Sequence, residues 1–477
     1  MPHFAVALIY IFLASGFCFL SYRQYQKKNF QMSVLLLVAA AFALRIFMAS
    51  DMFLHEWDER YHALVAKNLM NNFLEPKLYR IPLLNYDYTS WSSNYIWLHK
   101  QPLPLWCMAL SMKILGVNEM AMRLPSAIIS TVAVYFTYFI GKKFFHEKIG
   151  LLAAFFHAVN GLVMDVTTGR AATDHIDIFF LFFVELATVF AIMSSERKKY
   201  LFDLLTGVCI GLAVLCKWLP AFIVLPVWFI LNYEKRSIAN IITGGFIIVV
   251  SACVVFLPWQ ICMHAKFPME YASTMLHNYQ HIVQVLDGHE GDVFYYFTKL
   301  HININEIFWL AFTWFCFMFY KKDNLKSRLA LLTWTIIPFL FFTIAKTKMQ
   351  AYLLFVFPAL FIMLSEFSVF LLQPVENLNR FKFQKILFAL IIFLAVRFSI
   401  ERIKPFQDQS KQLAWANEFK NMDKTNAEKK VYVNVKHCIE GMFYTNSIMY
   451  NYVPSQSEMD SWKTKGYEVI INQNPDL

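Results

Sequence analysis

Acids and histidines are concentrated in the polar stretch from His55 to Pro104. Asp58 and His62 are four residues apart and Glu59 and His62 are three apart, so these side chains would share one face of a helix. An acid in the first turn of such a helix can act as a general base for a hydroxyl group. The competing interpretation is a surface ion pair, worth about 0–1 kcal/mol. A second cluster at the end of the stretch favours a site, and the candidate catalytic residues are Asp58, Glu59, His62 and His99.

A divalent metal ion is an alternative occupant of the same stretch, since carboxylates and imidazoles are common metal ligands. The candidate ligands are His55, Asp58, Glu59, His62 and His99. Their spacing matches no strong ligand pattern, and the HExxH motif is absent. The sequence therefore establishes no cofactor, and metal dependence stays open.

The chain that must position these residues is strongly apolar. Of its 477 residues 58% are hydrophobic and 16% are charged, against about 25% charged in soluble domains. Apolar runs long enough to cross a hydrocarbon layer of about 30 Å recur about twelve times. The predicted spans are roughly 4–20, 33–50, 123–140, 149–164, 177–194, 201–216, 218–232, 238–258, 304–319, 329–345, 350–371 and 385–400. The sequence predicts an all-α polytopic membrane protein.

The distribution of Lys and Arg predicts the orientation of the spans. These residues cluster in the connections that follow the odd-numbered spans, which the positive-inside rule places in the cytoplasm. The opposite short connections hold only Arg170, Lys217, Lys266, Lys299, Lys346 and Lys348. The stretch from His55 to Pro104 is therefore predicted to lie outside, together with the C-terminal tail and, for an even number of spans, the N-terminus.

Cations on this outer side form a second candidate group. Lys217 stands between two apolar runs, and Lys346 and Lys348 follow another. A single lysine at the outer membrane edge is explained by snorkelling, in which the long side chain extends until its ammonium lies at the interface. Several cations on a side where positive charge is otherwise rare favour an anionic ligand such as a lipid phosphate. Contact with phospholipid headgroups, without catalysis, would require similar residues.

The polar segments are predicted to carry structure of their own. Residues 1–400 are predicted to form the transmembrane domain, in which the first outer loop spans 51–122. Apolar spacing predicts helices over 58–70 and 103–115 in this loop, lying along the membrane surface. The tail, 401–477, is predicted to be a small extracytoplasmic α/β domain, with a helix at 409–421 and strands at 431–435 and 468–472.

Cysteine spacing and charge exclude two further classes. The eight cysteines include no CxxC pair, which argues against a disulfide framework or a zinc ribbon. Cys438 in the tail is expected to be a buried thiol. The net charge of +10 comes from short basic clusters between apolar runs, as membrane topology requires. Binding to nucleic acid is therefore not expected.

Several motifs occur in an order that resembles a known family. An Asp58-Glu59 pair opens the helix of the first outer loop, and the sequence Lys100-Gln101-Pro102-Leu103 follows it. Further matches are the segments 115–127, 169–174, 211–217 and 346–352. Together they resemble the GT-C superfamily of membrane glycosyltransferases, and within it the group of lipid A aminoarabinose transferases and protein O-mannosyltransferases. The resemblance covers about residues 35–371.

The resemblance implies transfer of a sugar from a polyprenyl-phosphate donor to a lipid, glycan or protein acceptor at the outer face, usually with inversion. It implies that Asp58 is the catalytic carboxylate and that Asp174 is a second outer-loop acid. The residues implied to line the donor phosphate are Lys100, Arg170, Lys217, Lys346 and Tyr352, beside which Lys348 is a further candidate. The implied location is the bacterial inner membrane, with the site facing the periplasm.

Two other functions are compatible with the composition. A transporter or flippase of lipid-linked glycans would use similar charges along a passage, but transporters place ionisable residues near the middle of spans. Few occur there, Glu185 being the clearest. A non-catalytic relative that binds lipid-linked glycans is the second alternative. The sequence favours the glycosyltransferase.

Overall fold

The computed structural model describes residues 3–172, 175–197, 199–374, 378–423, 425–474 and 477. Its contacts divide the chain into two compact units. The first, called the membrane unit here, comprises Met1–Met48, Ser126–Ile261 and Asn278–Pro405. The second, called the loop–tail unit, comprises Ala49–Pro125, Cys262–His277 and Phe406–Leu477. The predicted domain boundary at residue 400 stays a prediction, since these units are defined by contacts within the chain and not by the membrane.

Helices dominate both units. The α-helices are α1 His3–Gln26, α2 Phe30–Ala49, α3 Asp58–Leu69, α4 Pro102–Leu115, α5 Glu119–Phe144, α6 Glu147–Val159, α7 Gly161–Thr167, α8 His175–Arg197, α9 Tyr200–Lys217, α10 Val224–Asn232, α11 Ile238–Lys266, α12 Pro268–Val283, α13 Tyr295–Ile304, α14 Phe308–Phe317, α15 Leu325–Ile344, α16 Phe357–Leu371, α17 Leu378–Ile403, α18 Ser410–Asn421, α19 Cys438–Tyr444 and α20 Gln456–Thr464. Short 3₁₀ helices occupy Leu219–Ile223, Met318–Lys321, Gln350–Val356 and Ala427–Lys429. The strands are β1 Lys430–Val433, β2 Ile448–Met449 and β3 Glu468–Ile471.

Each of the twelve predicted spans falls on helix, but fewer meet a strict test of length and hydropathy. Within the described ranges, eight helices are long and apolar enough to cross a membrane, and two bent helix pairs raise the number to ten. The predicted span 218–232 is shortened by a 3₁₀ turn. The last predicted span lies in α17, whose apolar stretch carries Lys385 and Arg397. The predicted multi-pass helical fold is confirmed.

The bend between α6 and α7 has a local cause at Asn160. Its backbone leaves the helical region, and its side-chain oxygen accepts a hydrogen bond from the Val163 amide at 3.0 Å. An asparagine in this position caps the N-terminus of the helix that follows. Gly161 comes next, where a Cβ would lie 2.9 Å from the Phe398 carbonyl. The turn thus depends on a capping residue and on a close approach that glycine permits.

Two arginines buried inside the membrane unit, Arg328 and Arg45, have polar partners, as the cost of isolated charge at membrane depth requires. Arg328 and Glu366 form a buried ion pair. Arg45 in α2 is fully buried and binds Ser130 Oγ at 2.7 Å and the Ala158 carbonyl at 3.0 Å. These contacts tie α2 to α5 and to the end of α6.

The loop–tail unit is built on a small parallel sheet and shares one core between loop and tail. The strand order is β2-β1-β3, with Val431 opposite Ile448 on one side and opposite Val469 on the other. The core joins apolar residues of α3 and α4 to those of α18 and α19. The predicted tail helix and the two longer strands are confirmed, and Cys438 is a buried free thiol as expected.

Two basic residues of α3 fasten it to the tail. The Lys67 ammonium donates to the carbonyls of Met442 at 2.8 Å and Phe443 at 2.9 Å, at the C-terminal end of α19. A cation is favourable there because it satisfies carbonyls that the helix leaves open. The Arg60 guanidinium lies 3.2 Å from the buried carboxylate of Glu440. The tail therefore fixes both the start and the end of α3.

The Glu440 carboxylate gives this junction a testable pH dependence. Burial alone would raise its pKa, but His437 and the Arg60 charge outweigh burial and lower it. A carboxyl whose pKa is lower in the folded state stabilises the fold above its unfolded pKa of about 4.3, and this contribution is lost as the pH falls through the folded value. We expect Glu440→Gln to lower the free energy of unfolding by about 1–3 kcal/mol at neutral pH.

Denaturant titration of the purified chain from neutral to acidic pH measures this effect. The difference between the native chain and the Glu440→Gln variant should shrink below about pH 4. The exposed residue Glu458 has its own local capping partner and is the matched control, because Glu458→Gln removes the same charge without touching α3. A Glu440→Gln effect that is independent of pH would contradict the assignment.

Candidate functional site

Asp58 is the first residue of α3, where the sequence analysis expected a general base. Its carboxylate lies 3.2 Å from the Lys100 ammonium, and both side chains are partly exposed. The helix dipole also stabilises a negatively charged side chain in the first turn of a helix. The predicted residues Asp58 and Lys100 are thus brought together, within reach of solvent.

Glu59, the neighbour of Asp58, is fully buried and held by Arg123. The guanidinium nitrogens Nε and Nη2 of Arg123 lie 2.7 and 2.8 Å from the carboxylate oxygens of Glu59. Arg123 also donates to the carbonyls of Asp51 and Phe53, both at 2.6 Å. His55 completes the network, its Nδ1 2.8 Å from Glu59. In this geometry Glu59 positions α3. Its predicted catalytic role stays a prediction.

The two predicted catalytic histidines belong to one aromatic cluster. His62 is buried and meets the Trp97 ring edge-on at 5.6 Å. His99 stacks on Trp91 at 4.9 Å and touches Trp97 at 5.6 Å. His277 lies 5.2 Å from the His99 ring. The structure therefore places both His62 and His99 in contact with Trp97.

The metal-binding alternative needs an assembled set of ligands, and the described part of the chain shows none. No group of three or more His, Cys, Asp or Glu side chains there is arranged to hold a metal ion. His55, one of the five candidate ligands, instead contacts Asp51 at 3.0 Å and Glu59 at 2.8 Å.

Trp57, directly before Asp58, has a backbone conformation that is rare for a bulky residue. Its φ is 71° and its ψ is −130°. Steric repulsion makes positive φ costly for side chains with a Cβ, by about 1–3 kcal/mol, and such strain concentrates at functional sites. Its side chain is 58% exposed, so little packing offsets this cost. The turn that presents Asp58 is therefore strained.

A glycine at position 57 should relieve this strain. We expect Trp57→Gly to raise the free energy of unfolding by roughly 1 kcal/mol, because the relief of about 1–3 kcal/mol exceeds glycine's entropic cost of about 0.5–1 kcal/mol. Trp57→Ala is the matched control, since it removes the same side chain but keeps the strain. Denaturant unfolding of both variants measures the difference. An alanine variant as stable as the glycine variant would disprove strain at this residue.

In the membrane unit, Lys217 is the centre of the predicted cationic group. It ends α9 and forms an ion pair with Asp177 in the first turn of α8. Its ammonium lies 4.5 Å from the centre of the Tyr352 ring, a cation–π contact. Trp218 follows with a φ of 82°, a second strained tryptophan next to a predicted site residue. The structure thus joins Lys217 and Tyr352, as expected, and adds Asp177.

Lys346 and Lys348 lie on one short loop but have different surroundings. Lys348 is buried and donates to the carbonyls of Thr343 and Ala345, both at 2.7 Å, so it caps the C-terminal end of α15. Burial and the nearby Lys346 charge lower its pKa, against the opposing effect of Asp292. Lys346 is exposed. Of this pair, Lys346 has the geometry to meet an anionic ligand, and Lys348 that of a structural cap.

Arg170 lies beside another ion pair of the membrane unit. Its guanidinium donates to the Ile403 carbonyl at 3.2 Å, and its amide to the Asp165 carbonyl at 2.9 Å. The Asp165 carboxylate in turn pairs with Arg402 at 3.0 Å. Asp174, the second predicted acid, lies outside the described residues.

Comparison with solved structures decides the fold. ArnT from Cupriavidus metallidurans, solved bound to undecaprenyl phosphate, superposes with a TM-score of 0.64 over 92% of this chain and 89% of ArnT, at 15% identity. The chain has the GT-C fold. Archaeal oligosaccharyltransferase AglB from Archaeoglobus fulgidus, solved with an inhibitory peptide and a dolichol-phosphate, matches with a TM-score of 0.57 over 88% of this chain and 64% of AglB, at 14% identity.

Sequence comparison agrees with this GT-C fold. The family model described as dolichyl-phosphate-mannose-protein mannosyltransferase matches residues 99–261. An uncharacterised protein of Aquifex aeolicus is 24% identical over 72% of this chain and 69% of its own length. An undecaprenyl phosphate-alpha-4-amino-4-deoxy-L-arabinose arabinosyl transferase of Pseudomonas savastanoi is 23% identical over 54% of this chain, and the match spans about half of that protein, 49%. The predicted relationship to the GT-C glycosyltransferases is confirmed.

Two ion pairs of this chain were not identified from the sequence, Arg123 with Glu59 and Asp177 with Lys217. Arg123 makes the bidentate contact to Glu59, whereas in the sequence it belongs only to the 115–127 segment. Its signal was a charge at the start of an apolar run, where a buried partner is required. Asp177 is likewise a charged residue at the start of an apolar helix, α8, but the sequence does not show that Lys217 is its ion-pair partner.

Proposed function

We propose that this chain is an integral membrane glycosyltransferase that takes its sugar from a polyprenyl-phosphate donor. The observation that carries the proposal is the pair of Asp58 and Lys100 at the start of α3, a carboxylate kept partly exposed beside a cation at 3.2 Å. The fully buried pair of Glu59 and Arg123 holds this helix end in place. The fold of GT-C glycosyltransferases supports the same function.

The proposed reaction is a displacement at the anomeric carbon of the donor. Asp58 accepts the proton of an acceptor hydroxyl, and the hydroxyl oxygen forms a bond to that carbon. The bond between this carbon and the phosphate oxygen breaks, and its electron pair leaves with the polyprenyl phosphate. The negative charge that develops on the leaving phosphate needs fixed cations, and Lys217 and Lys346 are proposed for this role.

The acceptor and the location belong to the same proposal. The acceptor is proposed to be a hydroxyl group of a lipid, glycan or protein at the extracytoplasmic face. The positive-inside count of the connections supports a site on the periplasmic side of a bacterial inner membrane. The sugar is proposed to be a hexose or pentose derivative, in keeping with the arabinosyl and mannosyl transferases that the chain resembles.

Transfer by the purified protein in detergent micelles tests this function. Micelles have no second compartment, so a transporter could not give the covalent product that a glycosyltransferase forms. With undecaprenyl-phosphate sugars labelled in the sugar, we expect loss of labelled donor and an equal amount of labelled acceptor in an envelope lipid extract. Addition of a chelator to the same assay tests the metal alternative. Absence of product from every donor would overturn the proposal.

Removal of the Lys217 charge tests its role at the donor phosphate. We expect Lys217→Met to lower kcat/KM for the donor by about 10- to 100-fold, the value of one hydrogen bond to a charged group. Lys266→Met is the matched control, because Lys266 is an exposed lysine of the connections predicted to lie outside. Equal effects of the two substitutions would remove Lys217 from the site.

A further inference from the structure

A cavity of about 500 Å³ opens among helix ends of the membrane unit. Its polar lining includes three lysines, Lys143 at the end of α5, Lys235 after α10 and Lys326 in the first turn of α15. The volume falls in the range of about 300–1,000 Å³ that is typical of ligand sites. None of these residues belongs to the site proposed for glycosyl transfer.

The lining comes from one side of the membrane unit. Its residues lie in or beside the connections that follow the third, fifth, seventh and ninth predicted spans, where Lys and Arg are concentrated. The positive-inside rule places these connections in the cytoplasm. The cavity therefore opens where the helix ends meet the cytoplasmic leaflet.

The charges around the cavity do not cancel. The Lys143 ammonium lies 2.9 Å from both carboxylate oxygens of Glu196, and Lys326 pairs with Glu234. Lys235 donates to the Ser195 hydroxyl at 2.8 Å. Among the residues that the structure describes, no carboxylate lies within ion-pair distance of Lys235. One positive charge is thus left over, on a lysine that lines the cavity.

The backbone that presents Lys235 is firmly held. The next residue, Arg236, donates to the Asp203 carboxylate at 2.6 Å and to the Ser194 carbonyl at 3.0 Å. Asp203 also accepts a hydrogen bond from the Trp228 indole at 2.8 Å. The backbone at Lys235 therefore needs little reordering when the lysine binds an anion.

We propose that this cavity binds the phosphate headgroup of an anionic phospholipid of the cytoplasmic leaflet. Lys235 supplies the charge for the phosphate, because the charges of Lys143 and Lys326 are balanced by Glu196 and Glu234. Leu231 and Leu329 line the same cavity and suit the glycerol and the first methylenes of such a lipid. Basic pockets between transmembrane helices on the cytoplasmic side are typical sites for anionic headgroups.

Native mass spectrometry of the detergent-purified full chain tests the site. The probe is phosphatidylglycerol, with phosphatidylcholine of the same acyl chains as the zwitterionic reference, which has no net charge. We expect phosphatidylglycerol to bind more tightly, and Lys235→Gln to weaken its binding by roughly fivefold. Lys27→Gln is the matched control, because Lys27 is an exposed lysine of the same predicted face that does not line the cavity. Lys235→Arg keeps the charge and should retain binding.

Three results would overturn the proposal. The first is equal binding of the two lipids. The second is an equal loss of phosphatidylglycerol for the variants at Lys235 and Lys27, which would indicate a diffuse surface charge. The third is displacement of bound lipid by inorganic phosphate or glycerol phosphate at low concentration, which would assign the cavity to a soluble phosphate compound. Thermal unfolding without added lipid checks that each variant is folded.

Discussion

Replacement of Asp58 by asparagine is expected to lower the rate of sugar transfer by about 10²- to 10⁴-fold, the contribution of a general base. Asparagine has the size of aspartate but cannot accept the proton of the acceptor hydroxyl. The substitution should change kcat rather than the KM for the donor, because the donor phosphate is assigned to the cations of the membrane unit. Steady-state kinetics with a labelled donor measure both constants.

Two further substitutions separate catalysis from structure at this helix end. Glu56→Gln is the matched control, since Glu56 is an exposed acid two residues away, and its transfer rate should match that of the native chain. Asp58→Glu keeps a carboxylate and should retain more activity than Asp58→Asn. If Asp58→Asn keeps the native kcat, the proton must be taken by another group and the assignment of Asp58 is wrong.

Replacement of Arg123 by alanine is expected to lower the free energy of unfolding by about 3–5 kcal/mol, because it leaves a buried carboxylate without its cation. Glu59 is fully buried, and Arg123 supplies two hydrogen bonds to it. The carbonyls of Asp51 and Phe53 lose their donor in the same step. Denaturant titration in mixed micelles, followed by tryptophan fluorescence, measures the loss.

A double variant shows how much of the lost stability comes from the Glu59 charge that Arg123→Ala leaves without its cation. Glu59→Leu combined with Arg123→Met removes both charges and should restore part of the stability lost in Arg123→Ala, since apolar replacement of a whole buried pair is often neutral. Lys113→Ala, at an exposed lysine of α4, is the control for loss of a positive charge. A double variant less stable than Arg123→Ala would show that Glu59 is stabilised by other contacts.

Much of the fold could be predicted because apolar periodicity is local. The predictions for α3 and α4 agree with the observed bounds within one residue, since both helices have a continuous apolar face and clear starts. In the tail, α19 and the two-residue strand β2 were missed. Segments this short are decided by the core that the tail shares with the loop, and their own sequence gives little signal.

The candidate site could be predicted only where its residues belong to local sequence motifs. Asp58 and Lys100 were found because each stands in a motif, and the structure brings them together. The partner of Glu59 was not found because Arg123 is 64 residues away and only the folded chain joins them. The strained backbone at Trp57 could not be foreseen either, since tryptophan is among the residues least expected at positive φ.

The attachment of α3 to the tail has a consequence for biosynthesis. Arg60 and Glu440 are 380 residues apart, and Lys67 binds carbonyls that lie 375 and 376 residues further on. At about 5–20 residues per second, a ribosome needs roughly 20–80 s to make the intervening chain. During this time α3 lacks the partners that cover its tail-facing side. The helix that begins with Asp58 thus gains these tail contacts only after residues 440–443 have been made.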